Sequence, residues 1–451
     1  MQYWKPEAAD EFAGDMMPFW DGAKFHLFYL LDRNHHAEQG GLGGHQWAHA
    51  STSDLVHWEH HPLAVPLGAP GEADGHGICT GSIFEHDGVF HAFYATRLKA
   101  GGGAVSEVLC RAASRDLIHF DKFSGNPLFG APPGYDPENF RDPFVFRHAE
   151  SGLFHLLVTA SRDGRGVLAH FTSANLNDWR LQDPFLTGGD GHAPECPELF
   201  LWNGWWYLVY SRNGQMEYSV SHDPLGPWQA AARGTIEPST LRVPRTAAVA
   251  GGRRLAVGFL PWRQEDRDAG DYVYAGNAVF RELLQDADGT LRTRLVPEMM
   301  PATGLARVEG DFPVEPGTSP VTVRLADIPT DGVLSLRVVP TSGAGGFGLL
   351  LCADERLETG YRLSFLPQER RVILRSWPET GGDSRAVLSD IEGLDRPLDI
   401  LVCLYGSVID VCLNGRHTLV ERGFDHRGTY LGFFAAGGSV RVEDLRVVPS
   451  V

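Results

Sequence analysis

Three acidic residues of this 451-residue chain have the type and spacing that acid/base chemistry requires. Asp15, Asp142 and Glu195 stand at nearly constant distances before an aromatic residue of a strand-like run, namely 10, 12 and 11 residues before Phe25, Phe154 and Trp206. In repeated units, such offsets would place the three carboxyl groups at equivalent heights, where they converge. Like charges a few ångströms apart push one pKa upward, so one carboxyl group can stay protonated while another is ionised. Glycoside hydrolysis uses such a pair, whereas any one of these acids alone is more simply a turn cap.

The elements that would position these residues are five repeated hairpin units in the first 300 residues. Each unit has a short β run, a turn that contains glycine, and a second run rich in aromatic or apolar residues. The second runs begin at Phe25, Phe90, Phe154, Trp206 and Leu255. Turn residues between two such runs are typical of a β-hairpin.

A second motif follows the hairpin in four of the five units. It places Ser or Thr two residues before Asp or Asn, with an aromatic residue further on, and it begins at Thr52, Ser114, Ser173 and Ser221. An Asx or Ser/Thr turn that leads into another strand is the local interpretation. Because hairpin and turn recur in the same order, an all-β chain with a five-bladed β-propeller is favoured over an unrepeated β-sandwich. We therefore predict a propeller over residues 1–300 that carries the catalytic residues.

Residues 301–451 follow a different pattern and are predicted to form a C-terminal β-sandwich. The segment 295–301 separates the two patterns, and beyond it many short runs, several of them alternating, have the character of strands. No cluster of metal-ligating or nucleophilic side chains stands out in this half.

Composition narrows the class of partner and the compartment. The chain has 39 Lys and Arg against 57 Asp and Glu, a formal net charge of −18, which argues against nucleic acid or an anionic membrane as partner. No stretch approaches the roughly 20 apolar residues of a membrane helix, and the N-terminal residues do not resemble a signal peptide. The six cysteines are scattered, as expected of reduced, buried thiols. These features indicate a cytoplasmic protein and leave its oligomeric state open. A small carbohydrate as substrate is predicted from the three acids and not from the composition.

The motifs around the three acids resemble those of glycoside hydrolase family 32, the β-fructosidase or invertase family, and the resemblance covers essentially the whole chain. Residues 140–143, Phe-Arg-Asp-Pro, are similar to the family's Arg-Asp-Pro motif, and residues 195–200 are similar to its Glu-Cys motif. Residues 46–59, 80–82 and 276–283 resemble its His-Trp-Gly-His, Ser-Gly-Ser and propeller-closing segments. The resemblance implies a five-bladed propeller, shared with families 43, 62 and 68, followed by a C-terminal sandwich.

The resemblance also implies a role for each matching residue. Asp15 aligns with the nucleophile and Glu195 with the acid/base. Asp142 would stabilise the transition state and bind ring hydroxyls, helped by Arg141. Further substrate contacts fall on Asp32, Trp47, Thr80, Ser82, Cys196 and Trp262, with the two tryptophans as apolar walls. Cys196 would tune the neighbouring acid/base, Glu195. The alternative, favoured equally, is that Cys196 is a buried thiol with no role in the reaction.

Two departures mark the chain as a divergent member. The family's Asn-Asp-Pro-Asn-Gly motif is replaced by Gly14-Asp15-Met16-Met17-Pro18, and the Gln that follows the next strand's tyrosine is replaced by Leu30. Asp32 or Asn34 would replace the polar contact of that Gln. The sugar is therefore a fructoside or another furanoside.

The histidines suggest a metal site around residues 35–36 and 60–61, but without paired spacing on a helix face we prefer loop and rim histidines and predict no metal or cofactor. The segments 32–45 and 71–77 are predicted to rise over one mouth of the funnel, with Trp20 as a further apolar face, which favours exo action on one terminal furanose. We predict a retaining exo-glycosidase, foremost a β-fructofuranosidase for sucrose or fructo-oligosaccharides. A fructosyltransferase, a family-43-like furanosidase and a non-catalytic sugar-binding protein are the alternatives.

Overall fold

The computed structural model describes residues 2–35, 45–99, 105–188, 191–300, 306–308, 311–316, 321–324, 331–341, 343–379 and 385–449. The chain divides into two compact units. Unit one comprises Met1–Ile236, Arg242–Pro261 and Val273–Leu291, and unit two comprises Glu237–Leu241, Trp262–Tyr272 and Arg292–Val451. The assignment of residues 1–300 as a catalytic domain stays a prediction.

Unit one is the predicted five-bladed propeller, and each blade is an antiparallel sheet whose first strand lies innermost. The strands of blade one are β2 (Glu11–Trp20), β3 (Phe25–Arg33), β4 (Gln46–Thr52) and β5 (Glu59–His60). Blade two has β6 (Ile78–His86), β7 (Val89–Lys99), β8 (Val105–Ser114), β9 (Asp121–Lys122) and β10 (Phe129–Gly130). Blade three has β11 (Tyr135–Arg147), β12 (Phe154–Arg162), β13 (Arg165–Ser173), β14 (Arg180–Leu181) and β15 (Leu186–Thr187). Blade four has β16 (Glu195–Trp202), β17 (Trp205–Arg212), β18 (Gln215–Ser221) and β19 (Gln229–Thr235).

Blade five is completed by the start of the chain. It contains β20 (Arg242–Val249), β21 (Arg253–Arg263), β22 (Tyr272–Gln285) and β23 (Leu291–Arg294), and the N-terminal strand β1 (Tyr3–Trp4) pairs with β22. Tyr3 lies opposite Val279 in that pairing. A further pair, Ala13 opposite Gly276, joins blades five and one into one nine-stranded sheet, so backbone hydrogen bonds link the first and last blades.

The predicted Asx turns recur as expected in the first three blades. In each, the Asp or Asn Oδ1 accepts two backbone N–H groups at 2.8–3.0 Å. The leucine that follows is buried and has a left-handed backbone, with φ of 65°, 63° and 62° at Leu55, Leu117 and Leu176. The turn bonds offset the cost of this sparsely populated conformation, and the same local chemistry therefore repeats in blade after blade.

The innermost strand of every blade contains a β-bulge. The register shifts lie between residues 13 and 16, 78 and 81, 141 and 144, 195 and 198, and 242 and 245. A bulge bends the strand and changes the direction of neighbouring side chains. Asp142, Cys196 and Val243 occupy the first bulge position in their blades with φ of 54°, 50° and 46°, and a proline follows each.

Unit two contains the predicted β-sandwich. One sheet has the strand order β24-β36-β27-β32-β33-β34, with β25 on β36, and the other has the order β26-β35-β28-β29-β30-β31. Their bounds are β24 (Ala306–Arg307), β25 (Phe312–Val314), β26 (Val321–Arg324), β27 (Gly332–Pro340), β28 (Gly346–Ala353), β29 (Gly360–Leu366), β30 (Arg371–Trp377), β31 (Ala386–Leu388), β32 (Leu398–Tyr405), β33 (Val408–Leu413), β34 (His417–Arg422), β35 (Tyr430–Ala436) and β36 (Val440–Pro449). Alternating apolar residues of both sheets, such as Leu336, Leu349 and Val411, form one buried core.

Helical structure is confined to three short 3-10 turns, Ala250–Gly252, Gln264–Asp266 and Pro297–Met299, within the ranges given above. Over those same ranges, no helix has the length and apolar character that crossing a membrane requires.

Candidate active site

The three predicted acids lie at the bulges of blades one, three and four, but at consecutive rather than equivalent positions. Glu195 is the last paired residue before its bulge, opposite Ser211. Asp142 is the first residue within the bulge of β11, and Asp15 is the second within that of β2. The predicted equivalence of heights therefore needs correction by one or two residues. The bulges account for the difference, because they re-aim the side chains of adjacent positions.

Asp15 is half-buried and makes hydrogen bonds with residues of two other blades. The Thr80 hydroxyl on β6 donates to Asp15 Oδ2 at 2.6 Å. The Tyr274 hydroxyl on β22 accepts the Asp15 backbone N–H at 3.0 Å. Burial raises the pKa of the Asp15 carboxyl group most strongly, the bond from Thr80 lowers it, and the charges of Asp142 and Glu195 raise it again, to about 6 from an ordinary 3.8.

Arg141 connects acids from three blades. Its guanidinium lies 2.7 Å from a Glu195 oxygen, 3.3 Å from Glu107 and 3.8 Å from Asp142. Burial alone would lower the pKa of Arg141, but the charges of Asp142, Glu107 and Glu195 raise it, so this cation is permanent. The side chain of Glu195 is 35% exposed, and it is therefore the acid of this group that solvent reaches most easily.

Glu107 belongs to this network although sequence reasoning did not identify it. Its carboxylate is 3% exposed and accepts the Phe140 backbone N–H at 2.9 Å, in addition to contacts with Arg97 and Arg141. The residue stands within the ordinary strand β8, and no neighbouring motif marks it. Tyr274 was missed for a different reason, because only the closing segment that follows it had a recognisable pattern.

Asp142 is buried and is held by the next blade. The Cys196 backbone N–H donates to Asp142 Oδ2 at 3.1 Å. The Cys196 thiol is buried, and burial, followed by the charges of Asp142 and Asp15, raises its pKa well above the ordinary value. A neutral thiol is a poor nucleophile, so the buried-thiol alternative fits this residue. That Cys196 tunes the acid/base, Glu195, stays a prediction.

Ser82 and Arg245 connect blades rather than face a ligand. The Ser82 hydroxyl is buried and donates to the Pro143 carbonyl at 2.9 Å. The buried Arg245 guanidinium donates to the carbonyls of Gly81 and Pro197. Ser82 was predicted to bind substrate, but the structure gives its hydroxyl a structural acceptor instead.

Trp47 and Asp32 also differ from prediction. Trp47 is fully buried in the core of blades one and two, and its indole N–H donates to the Cys79 carbonyl at 2.9 Å. No face of the ring is left for a sugar, so its prediction as an apolar wall is wrong in this structure. Asp32 is likewise fully buried, 3.4 Å from the His45 ring, and cannot offer an exposed contact.

Trp262 belongs to unit two. Its ring lies 5.5 Å from that of Phe424, and the Arg422 guanidinium lies 4.2 Å from the ring centroid. Its predicted role as an apolar wall of the sugar subsite stays a prediction.

Trp20 is the last residue of β2, five positions after Asp15. Five residue steps correspond to about 17 Å in an extended strand. Trp20 there lines a cavity of about 210 Å³ together with Phe144, Glu198 and Arg254. The Glu198 carboxylate is engaged by Arg254 at 2.7 Å and by the Thr246 backbone N–H. Trp20 is therefore not part of the group around Asp15.

The two loops predicted to crowd the funnel mouth have different outcomes. Residues 36–44 of the first loop lie outside the described residues. In the second loop, Asp74 is buried and accepts the Tyr94 hydroxyl at 2.9 Å and Lys122 at 2.7 Å, so its carboxylate faces blade two. Glu72 and His76 of the same loop are exposed.

The histidines of blade one make local contacts. His61 Nε2 lies 2.8 Å from the Ser51 hydroxyl, and the His60 ring stacks on Trp4 with centroids 5.7 Å apart. Among the residues that the structure describes, no group of three or more His, Cys, Asp or Glu side chains could hold a metal ion.

Comparison with protein families matches residues 16–225 to the Glycosyl hydrolases family 32 N-terminal domain. That match includes Asp142 and Glu195 and begins one residue after Asp15. The sucrose-6-phosphate hydrolase of Escherichia coli is 28% identical over 62% of this chain and 61% of its own length. The raffinose invertase of Escherichia coli is 26% identical over 93% of this chain and 89% of its own length.

Among solved structures, the fructan 1-exohydrolase IIa of Cichorium intybus superposes with a TM-score of 0.78 at 17% identity, over 99% of this chain and 96% of that one. The exo-inulinase of Aspergillus awamori gives a TM-score of 0.74 at 18% identity, over 99% and 98% of the two chains. At these identities the likeness establishes the fold, a propeller followed by a sandwich.

Proposed function

The chain belongs to glycoside hydrolase family 32, and on that premise we propose that it is a retaining exo-β-fructofuranosidase acting on sucrose or fructo-oligosaccharides. The observation that carries the proposal is the group of Asp15, Asp142 and Glu195 at the bulges of three blades. Thr80 holds Asp15, Arg141 contacts the other two acids, and the charges of those two acids raise the pKa of Asp15. The names of the relatives agree with such a substrate, since they include sucrose-6-phosphate hydrolase and raffinose invertase.

Asp15 is proposed as the nucleophile. It is half-buried and held by the Thr80 hydroxyl and by its own backbone, so its carboxylate has a fixed direction. With a pKa of about 6, it is mostly ionised at neutral pH. Burial leaves this carboxylate poorly hydrated, which favours attack on the anomeric carbon.

Glu195 is proposed as the acid/base. Arg141 engages its Oε1, and the side chain is partly exposed, so the second oxygen can reach the glycosidic oxygen of a bound substrate. In the first step Glu195 gives its proton to that oxygen while the bond to the anomeric carbon breaks and Asp15 forms an ester with the sugar. In the second step Glu195 takes a proton from water, which attacks the same carbon and frees Asp15.

Asp142 and Arg141 are proposed to hold the fructosyl ring. Both lie on β11, and the Cys196 N–H fixes the Asp142 carboxylate. A fixed carboxylate stabilises the positive charge that develops on the ring, and it needs no rearrangement during the reaction. The six free cysteines agree with a reducing compartment, and we place the enzyme in the cytoplasm on that ground.

The test is a substrate panel with stereochemical analysis. Sucrose, 1-kestose, inulin-type and levan-type oligosaccharides and aryl furanosides are incubated with the protein, and early products are followed by NMR. We expect free fructose to appear first as the β-anomer. If the α-anomer appeared first, the mechanism would be inverting and not retaining. Transfer of fructose to an added sugar in preference to water would indicate a transferase. Binding of fructosides without turnover would overturn the enzymatic proposal.

A further inference from the structure

We infer that Tyr274 is a positioning residue for Asp15, and that Gly14 is required because the Tyr274 ring occupies the space beside it. The inference rests on the proposed function, because it assigns Asp15 the role of nucleophile. It concerns a residue of blade five that reaches across the closing sheet to the bulge of blade one.

The space beside Gly14 is filled. A Cβ atom at position 14 would lie 2.3 Å from the Tyr274 hydroxyl oxygen and 2.5 Å from its Cε1. Real Cβ atoms do not approach other atoms within 3.0 Å, so any other residue at position 14 would displace the ring. Glycine here makes room for a neighbouring side chain, and its φ is not in the left-handed region.

The Tyr274 hydroxyl acts on both the backbone and the side chain of Asp15. It accepts the Asp15 backbone N–H at 3.0 Å. Its interaction with the Asp15 carboxyl group lowers the pKa of Asp15. Thr80 donates to the same carboxylate from blade two. Asp15 is therefore held by hydroxyl groups of two other blades.

The neighbours of Asp15 act on its pKa in opposite directions. The carboxylates of Asp142 on β11 and Glu195 on β16, together with burial, favour the protonated form of Asp15. The donors Thr80 on β6 and Tyr274 on β22 favour the ionised form. Removal of either donor should make the nucleophile harder to ionise.

The Tyr274 ring is itself held firmly. It packs edge-on against Phe259, with centroids 5.2 Å apart, and lies 4.9 Å from the His45 ring. His35 Nδ1 lies 3.1 Å from the Tyr274 carbonyl oxygen. Burial and the charge of Asp15 raise the pKa of the Tyr274 phenol well above its ordinary value, so it stays a donor at any working pH.

The test begins with Tyr274→Phe, which keeps the ring and removes the hydroxyl. We expect kcat on a fructoside to fall about 10- to 100-fold with KM changed less than about threefold, since the contact orients a reacting group. The acid limb of the kcat/KM profile should move to higher pH. Tyr218→Phe is the matched control, because the buried Tyr218 hydroxyl accepts the Leu291 backbone N–H at 2.9 Å elsewhere in unit one. An unchanged pH profile in Tyr274→Phe would overturn the positioning role.

A second experiment tests whether a side chain at position 14 and the Tyr274 ring compete for the same space. Gly14→Ala should lower kcat at least as much as Tyr274→Phe, and Gly14→Ala combined with Tyr274→Ala should be more active, or more stable, than Gly14→Ala alone. Normal activity of Gly14→Ala, or no gain in the double variant, would contradict the exclusion.

Failure of the proposed function is separable from failure of this inference. If the wild-type protein hydrolyses no fructoside, the pKa of Asp15 can still be followed by carbon NMR of labelled aspartate carboxyl groups in the wild type, Tyr274→Phe and Tyr218→Phe. A higher Asp15 pKa in Tyr274→Phe alone supports the inference, and equal values in all three proteins reject it.

Discussion

Arg141 donates a hydrogen bond of 2.7 Å to Glu195, although the two residues belong to different blades and stand 54 positions apart in the sequence. The bond fixes one oxygen of Glu195 and leaves the other for a substrate. It also brings Arg141 within reach of the buried Glu107 and Asp142. The catalytic proposal therefore depends on one guanidinium as much as on the acids.

Substitution of Arg141 should impair both activity and stability. Arg141→Gln leaves the carboxylates of Glu107 and Asp142 without their shared cation, and breaking a mostly buried ion pair costs about 3 kcal/mol. We expect a clear loss of thermal stability and a fall of kcat/KM by about 100-fold or more. Arg141→Lys keeps the charge without the planar fork, so it should recover stability more than activity. Equal recovery of both would show that only the charge matters.

Removal of either proposed catalytic acid should abolish turnover without unfolding the protein. Asp15→Ala and Glu195→Ala are expected to lose several powers of ten in kcat. Asp163→Ala is the control, since its side chain is 85% exposed on a hairpin of blade three. Added azide distinguishes the two roles on an activated fructoside: it should give an inverted azide product with Asp15→Ala and a retained product with Glu195→Ala. The opposite pattern would exchange the assignments.

The rate should depend on the ionisation of Asp15. Because burial and the neighbouring acids raise its pKa to about 6, the proposed nucleophile is protonated below that pH and ionised above it. We expect kcat/KM to rise with pH and to level off above about 6. Thr80→Val, which removes one donor, should move this limb to higher pH, and Thr80→Ser should restore it. If the acid limb of the pH profile did not move in Thr80→Val, it would report the ionisation of a group other than Asp15.

Asp15 should also be a source of instability at neutral pH. Its pKa is raised on folding, so its ionised form is disfavoured in the folded protein and the cost appears as the pH rises from about 4 to about 6. A rise from 3.8 to about 6 corresponds to roughly 3 kcal/mol. Asp15→Asn should therefore melt at a higher temperature than the wild type above pH 6, and the gain should vanish below about pH 4. A gain independent of pH would contradict this origin.

Digestion of a fructan should release monosaccharide from the outset. Asp15 and Asp142 lie on the innermost strands of the propeller, and we expect this position to admit the end of a fructan chain rather than its middle. Product chromatography over the first few per cent of conversion is the measurement. Early oligosaccharides of intermediate length without free fructose would indicate endo action.

The repeated part of the architecture could be predicted from the sequence alone. Hairpin turns and Asx turns are local, so the residues around Leu55, Leu117 and Leu176 specify their own conformation wherever they occur. Five hairpin units in a row, four of them followed by the turn motif, indicate a propeller, and the acids before three of the hairpins indicate which blades carry the site. The alternation of apolar residues after position 301 identified the sandwich in the same way.

Only the tertiary structure decided which side chains meet. Thr80 and Asp15 are separated by 65 positions, and Tyr274 and Asp15 by 259, so their contacts depend on how blades pack and where the ring closes. The bulges place the acids at consecutive positions. Packing between blades buries Trp47, for which the family resemblance implied a role as an apolar wall of the sugar subsite. Local patterns determine strands and turns, whereas burial and cross-blade hydrogen bonds depend on neighbours that are distant in the chain.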